Sequence, residues 1–129
     1  MIVCRKNFRM CSRIFVVRVY LKKKKYRIVA KNIHISHNEI DIVAKNKNFI
    51  VFVEVKTRST DQNLTSNYGT PASAVDNRKQ KRTVEAARVF LKDHKYSKLQ
   101  PRFDVVEVYL DKQTHKQIHI NYIENAFGA

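Results

Sequence analysis

Residues 38–56, NEIDIVAKNKNFIVFVEVK, carry the reading on which the fold depends. Glu39–Lys45 alternates, with Ile40, Ile42 and Ala44 on one face and Glu39, Asp41 and Val43 on the other, the period of a β-strand. Phe49–Lys56 (FIVFVEVK) is instead almost continuously apolar, as expected of a central strand covered on both faces. Asn46–Asn48 between them is short enough for a hairpin connection. Two antiparallel strands, the second buried, therefore form the centre of the domain.

Working outward, Met10–Leu21 reads as a helix, against the strand preference of its β-branched residues. Tyr26–Lys31 reads as a short strand. Ser59–Gly69 is polar, lacks periodicity and is read as a mobile loop. Pro71 suits a first helical turn, and Ala72–Lys95 follows as the long helix, with Val75, Thr83, Ala87, Phe90 and Leu91 on its inward stripe. Arg102–Leu110 and Ile118–Ile123 complete the set as strands. Helix, three strands, helix and two strands make an α/β fold, a mixed central sheet flanked by helices.

The chain of 129 residues is 43% hydrophobic and 10% aromatic, enough for one core and a single domain over 1–129, with 1–12 expected to be a disordered basic N-terminus. Lys and Arg number 26 against 11 Asp and Glu, a formal net charge of +15. A surplus of that size points to a polyanionic partner, nucleic acid before an anionic membrane surface. No segment reaches the roughly 18 apolar residues of a membrane span. Cys4 and Cys11 have no second pair and no nearby His, so they read as free thiols in a reducing, cytoplasmic setting. Residues 1–38 contain no Asp or Glu, as some organelle presequences do, yet they run directly into the fold.

Where acids are scarce, their placement is informative. Glu54 and Lys56 are i and i+2 on the most apolar strand and project from one face. A carboxylate there is costly unless paired or metal-bound. Asp41, on the neighbouring strand, is placed to converge with Glu54, and a divalent cation would relieve their repulsion. Mg²⁺ (or Mn²⁺) takes hard oxygen ligands and keeps several waters. A lysine beside such a pair can orient water or neutralise charge on a phosphate. The alternative is a Glu54–Lys56 surface ion pair, with Asp41 only marking a strand end.

His37-Asn38-Glu39-Ile40-Asp41-Ile42-Val43-Ala44 and Val51-Phe52-Val53-Glu54-Val55-Lys56-Thr57-Arg58 resemble the core of the YraN-like family of small bacterial proteins, similar to the PD-(D/E)XK nucleases and Holliday-junction resolvases. The resemblance continues through Tyr68-Gly69-Thr70-Pro71, Ala74-Val75, Lys79, Arg82, Ala86-Ala87, Phe90-Leu91, Arg102-Phe103-Asp104-Val105-Val106 and Asn125-Ala126-Phe127. It implies a restriction-endonuclease-like αβββαβ core. It also implies metal ligation by Asp41 and Glu54, catalysis by Asp41, Glu54 and Lys56, and Glu39 as a further acid. The implied activity is metal-dependent hydrolysis of phosphodiester bonds in DNA, including branched or junction DNA. The alternative is a nucleic-acid-binding module with a nuclease fold and weak or no catalysis. Relatives commonly carry Gly-Glu in the first helix where this chain has Arg13-Ile14, and Gly before Glu39 where it has Asn38.

Lys79 shares the helical stripe of Val75 and Thr83, either directed toward the catalytic edge or snorkelling to solvent. Arg58, Arg78, Lys81, Arg82 and the run Lys22, Lys23, Lys24, Lys25 are the candidate nucleic-acid contacts, with a solvated charged surface as the alternative for each. DNA or RNA remains open, and a homodimer would suit a symmetric substrate. His34, His37, His94, His115 and His119 show no ligand spacing and read as structural.

Overall fold

In the computed structural model, residues 8–60, 76–93, 96, 98–114 and 116–128 are described. Helix α1 (Phe8–Lys23) precedes β1 (Arg27–Ile35), β2 (Asn38–Lys45) and β3 (Phe49–Thr60). Helix α2 (Asn77–Asp93), β4 (Gln100–Asp111) and β5 (Gln117–Phe127) follow. The strands form one sheet in the order β1-β2-β3-β4-β5. The β3–β4 pair is parallel and the other three are antiparallel. This is the mixed α/β arrangement implied by the restriction-endonuclease-like resemblance, with α2 in the crossover between the parallel strands.

The covering of β3 explains its composition. Val51 and Val53 pack with Ile14, Val17 and Leu21 of α1, while Ile50 and Phe52 pack with Val84, Ala86, Ala87 and Phe90 of α2. Phe52 meets Phe90 edge-on at 5.9 Å and stacks on Phe103 at 5.5 Å. Both faces are dry, so both alternate sets are apolar. Beyond Phe52, the α2-side row continues into Glu54 and Lys56.

Several boundaries differ from expectation. Helix α1 begins at Phe8, so part of the stretch 1–12 assigned to a disordered terminus is helical. Helix α2 begins at Asn77 rather than Ala72, because Asp76 caps it: Asp76 Oδ1 accepts the Lys79 N–H at 2.8 Å. Most of the expected loop after Ser59, together with Pro71, Val75, His94 and His115, lies outside the described residues. Strand β3 runs to Thr60, past the polar residues read as the start of the loop, because Lys56–Thr60 pair with Glu107–Asp111 of β4. That distant partner satisfies backbone groups that local composition would leave to water.

The alternation expected of β2 also fails at one point. Ile42 and Ala44 pack on the α1 side, but Ile40 joins Val43 on the α2 side. Pairing with β3 begins at Ile42↔Val53, and the Val55 N–H donates to Asp41 Oδ2 at 2.8 Å. The side chain of Asp41 thus replaces a ladder bond, and the strand turns there. At the other end of the hairpin, Asn46 Oδ1 accepts the N–H groups of Asn48 and Phe49, closing the turn.

A buried polar clamp joins the start of β4 to the link between α1 and β1 and to β5. Arg102 donates two hydrogen bonds to Asp104, at 2.9 and 2.8 Å, and one to the Tyr26 hydroxyl at 2.7 Å. Asp104 also accepts from the Tyr122 hydroxyl and from the Asn125 N–H at 2.9 Å. The Arg102 guanidinium lies over the rings of Phe49 and Tyr26. Burial opposes its charge, but Asp104 and Tyr26 more than offset this and raise its pKa. Burial and the Asp104 charge likewise push the Tyr122 hydroxyl well above its ordinary value.

Lysine occupies a position that favours glycine at the end of α1. Tyr26 N–H bonds to Leu21 C=O and Lys25 N–H to Lys22 C=O, a Schellman closure with Lys25 at φ 68°. Lys25→Gly should raise stability by about 0.5–1 kcal/mol by removing left-handed strain. Chemical denaturation checks this, and an unchanged midpoint would show that the strain is relieved elsewhere.

Candidate active site

The sheet and α2 bring four of the expected residues together. Glu54 and Lys56 project from β3 toward α2, where the Lys56 Nζ lies 3.4 Å from Glu54 Oε1. The capped first turn of α2 places Lys79 above them, its Nζ 3.9 Å from the same oxygen. Thr83 hydrogen-bonds back to the Lys79 carbonyl at 2.8 Å within this turn. Asp41 enters from β2, close enough to Glu54 for their charges to interact. Glu54 and Asp41 are each only 8% exposed, so a freely solvated surface pair does not describe them.

Burial raises both carboxyl pKa values above the ordinary range. For Asp41 the Val55 hydrogen bond, Lys79 and Lys56 pull the other way, and Glu39 adds to the rise. For Glu54 the repulsion of Asp41 adds to burial, while Lys79 and Lys56 oppose it. Two carboxylates are therefore held near each other with their charge incompletely compensated, and a cation binding both would relieve that.

The sign of the pH effect follows. Folded-state pKa values above the unfolded ones mean the folded protein holds protons that the unfolded chain has released. The stability associated with these groups is present below the ordinary carboxylate range and is lost as pH rises through the raised values. Metal-free melting curves in a chelating buffer should show this contribution declining over that window, with Asp41→Asn/Glu54→Gln flattening it. Equal pH dependence in parent and variant would contradict the assignment.

The other expected residues are dispersed. Glu39 pairs across the β1–β2 hairpin with His34, at 3.4 Å on an exposed surface, and acts on Asp41 through its charge. Arg58 follows Lys56 on the same face of β3. Arg78, Lys81 and Arg82 are exposed on α2 around Lys79. Lys22–Lys25 end α1 next to Tyr26, which bonds to Arg102 near the N-terminal end of β4. Glu54 and Lys56 lie further along β3, so the run is not brought to them. Ile14, the position at which the family resemblance leads one to expect Glu, is 5% exposed within the apolar cluster under α1. Among the described residues, no group of three or more His, Cys, Asp or Glu is placed to hold a metal, and no helix is long and apolar enough to cross a membrane.

One residue escaped the sequence reading. Glu107 is 3% exposed on β4, in parallel register with Lys56. The odd-numbered residues of RFDVVEVYL put it on the face of Phe103, but only the β3–β4 register sets it beside Lys56.

Residues 15–108 match the family model described as "Uncharacterised protein family UPF0102". A UPF0102 protein of Caldanaerobacter subterraneus subsp. tengcongensis is 44% identical over 108 residues, covering 84% of each chain. UPF0102 proteins of Chloroherpeton thalassium (42% identical over 113 residues) and Clostridium acetobutylicum (39% over 109) also align over 84% of each chain.

Proposed function

Because this chain belongs to the uncharacterised protein family UPF0102, we propose its function from its own site: metal-dependent hydrolysis of phosphodiester bonds in DNA, branched DNA included. The observation that carries this reading is the meeting of Asp41 and Glu54, both with raised pKa values, beside Lys56 and Lys79. Their donor set is all oxygen, which suits Mg²⁺ or Mn²⁺ rather than a soft metal. When bound, such a cation polarises a phosphoryl oxygen and lowers the pKa of water.

The chain's own groups supply the remainder. Asp41 and Glu54 would hold the cation, with Asp41 fixed by the Val55 N–H. Lys56 orients the water whose oxygen bonds to phosphorus as the bond from phosphorus to the leaving oxygen breaks, and neutralises charge on the phosphate. The attacking water gives its proton to solvent and the leaving oxygen takes one from solvent. Lys79, on α2, adds positive charge at the same Glu54 oxygen that Lys56 approaches. The exposed Arg78, Lys81 and Arg82 contact the flanking backbone. The second reading, a nucleic-acid-binding module without effective catalysis, is favoured by one observation: Ile14, where the family resemblance implies an acid, is apolar and buried.

One titration tests both readings. Purified protein is mixed with linear, flapped and four-way DNA and matching RNA, with and without Mg²⁺ or Mn²⁺, over a salt series. If about six phosphates are neutralised, log K should fall against log salt with a slope of roughly −5, and less steeply in Arg78→Ala/Lys81→Ala/Arg82→Ala. Cleavage only with metal supports the nuclease. Salt-dependent binding with neither metal producing cleavage supports the module, and a flat slope rejects nucleic acid as the partner.

A further inference from the structure

Glu107 is a buried carboxylate that the proposed chemistry does not use. Its Oε2 accepts from Arg58 Nε at 3.3 Å and from the Tyr109 hydroxyl at 3.4 Å, and its Oε1 accepts from Asn121 Nδ2 at 3.0 Å. The donors come from β3, β4 and β5, so the carboxylate is tied across three strands. Tyr109 and Asn121 are neutral, and a charge at this depth is costly without a cation. Arg58 supplies that cation.

Arg58 stands in a row with the catalytic candidates. Glu54, Lys56 and Arg58 are i, i+2 and i+4 on one face of β3, separated by about 6.6 Å per step. That step is comparable with the separation of neighbouring phosphates along one nucleic-acid strand. The Arg58 side chain is 39% exposed against 4% for Glu107, so it is anchored at Nε while part of it reaches solvent. A guanidinium is planar and matches phosphate oxygens in a way that lysine does not.

We propose that Glu107 is a positioning residue that holds Arg58 against the phosphate next to the scissile one, so that the site requires a charged linkage on that side of the bond it cuts. This inference rests on the nuclease reading. It adds a substrate requirement that Asp41, Glu54 and Lys56 do not impose.

End-labelled DNA oligonucleotides, each with one uncharged methylphosphonate linkage, provide the test. With Mg²⁺ or Mn²⁺, the parent should lose cleavage at the modified linkage and, by about tenfold or more, at one neighbouring bond, the scale of one charge-assisted hydrogen bond. In Arg58→Ala total cleavage falls, but suppression of the neighbouring bond disappears. Glu107→Gln should weaken that suppression, and Arg58→Lys should restore little of it. A merely structural role would lower melting temperature and cleavage together and leave the pattern unchanged. If Arg58→Ala unfolds because Glu107 is left buried without its cation, the double variant Arg58→Ala/Glu107→Gln removes that charge and is scored instead. Equal suppression in the parent and the Arg58 variants, or none in the parent, overturns the role of Arg58. Full suppression in Glu107→Gln overturns the role of Glu107. A parent with no cleavage at any bond in either metal overturns the nuclease reading, and this inference with it.

Discussion

Asp41→Asn, Glu54→Gln and Lys56→Ala should each reduce Mg²⁺-dependent cleavage by on the order of 10² or more, the scale of losing one transition-state stabiliser. The two carboxylate variants should melt no lower than the parent without metal. Burial raises both pKa values, with Glu39 adding to it at Asp41 and Asp41 adding to it at Glu54, so folding favours the neutral forms that Asn and Gln imitate more than the unfolded chain does. Asn retains an oxygen to accept the Val55 N–H, which preserves the turn in β2. Mg²⁺ should raise the melting temperature of the parent and have little effect on the double carboxylate variant. Metal-free DNA binding should persist in all three single variants and tighten in the two that lose negative charge. Unchanged cleavage in three folded variants would rule out this site; melting temperature and activity falling together in Glu54→Gln would make Glu54 structural.

Asp104→Asn should have the opposite profile, a large loss of stability with no direct effect on the site. Asp104 is fully buried and accepts from Arg102, Tyr122 and Asn125. The substitution leaves the buried Arg102 with only the exposed Glu124, 4.0 Å away, as a counter-charge, and turns an amide NH₂ toward groups that are themselves donors. Breaking a buried pair from one side costs about 3–5 kcal/mol, a large fraction of the roughly 5–15 kcal/mol that keeps a domain folded. Urea denaturation should show it as a lower midpoint. Arg102→Leu/Asp104→Leu removes both charges and should cost less than the sum of the single Leu changes. A loss below about 1 kcal/mol for Asp104→Asn would place this pair with surface ion pairs in energy.

These two residues mark how far the chain can be read locally. The Glu54–Lys56 pair was legible because strand period puts i and i+2 on one face, and Asp41 because a short hairpin keeps its strand adjacent. Asp104 appeared only as part of a strand. Nothing near it in sequence announces that Tyr122 and Asn125 come back to it from β5, or that Tyr26 reaches its arginine partner from the end of α1. The inward stripe expected for α2 is buried at Thr83, Ala87 and Phe90. The helix starts later than Ala72 because Asp76 caps it, and the Asp76 side chain competes with the apolar period as the start signal.

By itself the sequence determined the element order, the burial of β3 on both faces, the placement of Glu54 and Lys56 on one of them, and the basic character of the surface. All of these are local: side-chain period, turn chemistry and composition act over a few residues. Tertiary structure alone decided that Asp41 would turn β2 by capturing the Val55 N–H. It also set Lys79 above Glu54, extended β3 to Thr60, and aligned Glu107 with Lys56 and Arg58. Each of these needs chain closure between separate elements, and the parallel β3–β4 register needs the whole crossover through α2. Local period leaves such a register open, because a slip of two residues keeps every side chain on its own face. The packing of Phe52 against Phe103 and Phe90, with the bonds of Glu107 to Arg58 and Asn121, selects among those registers.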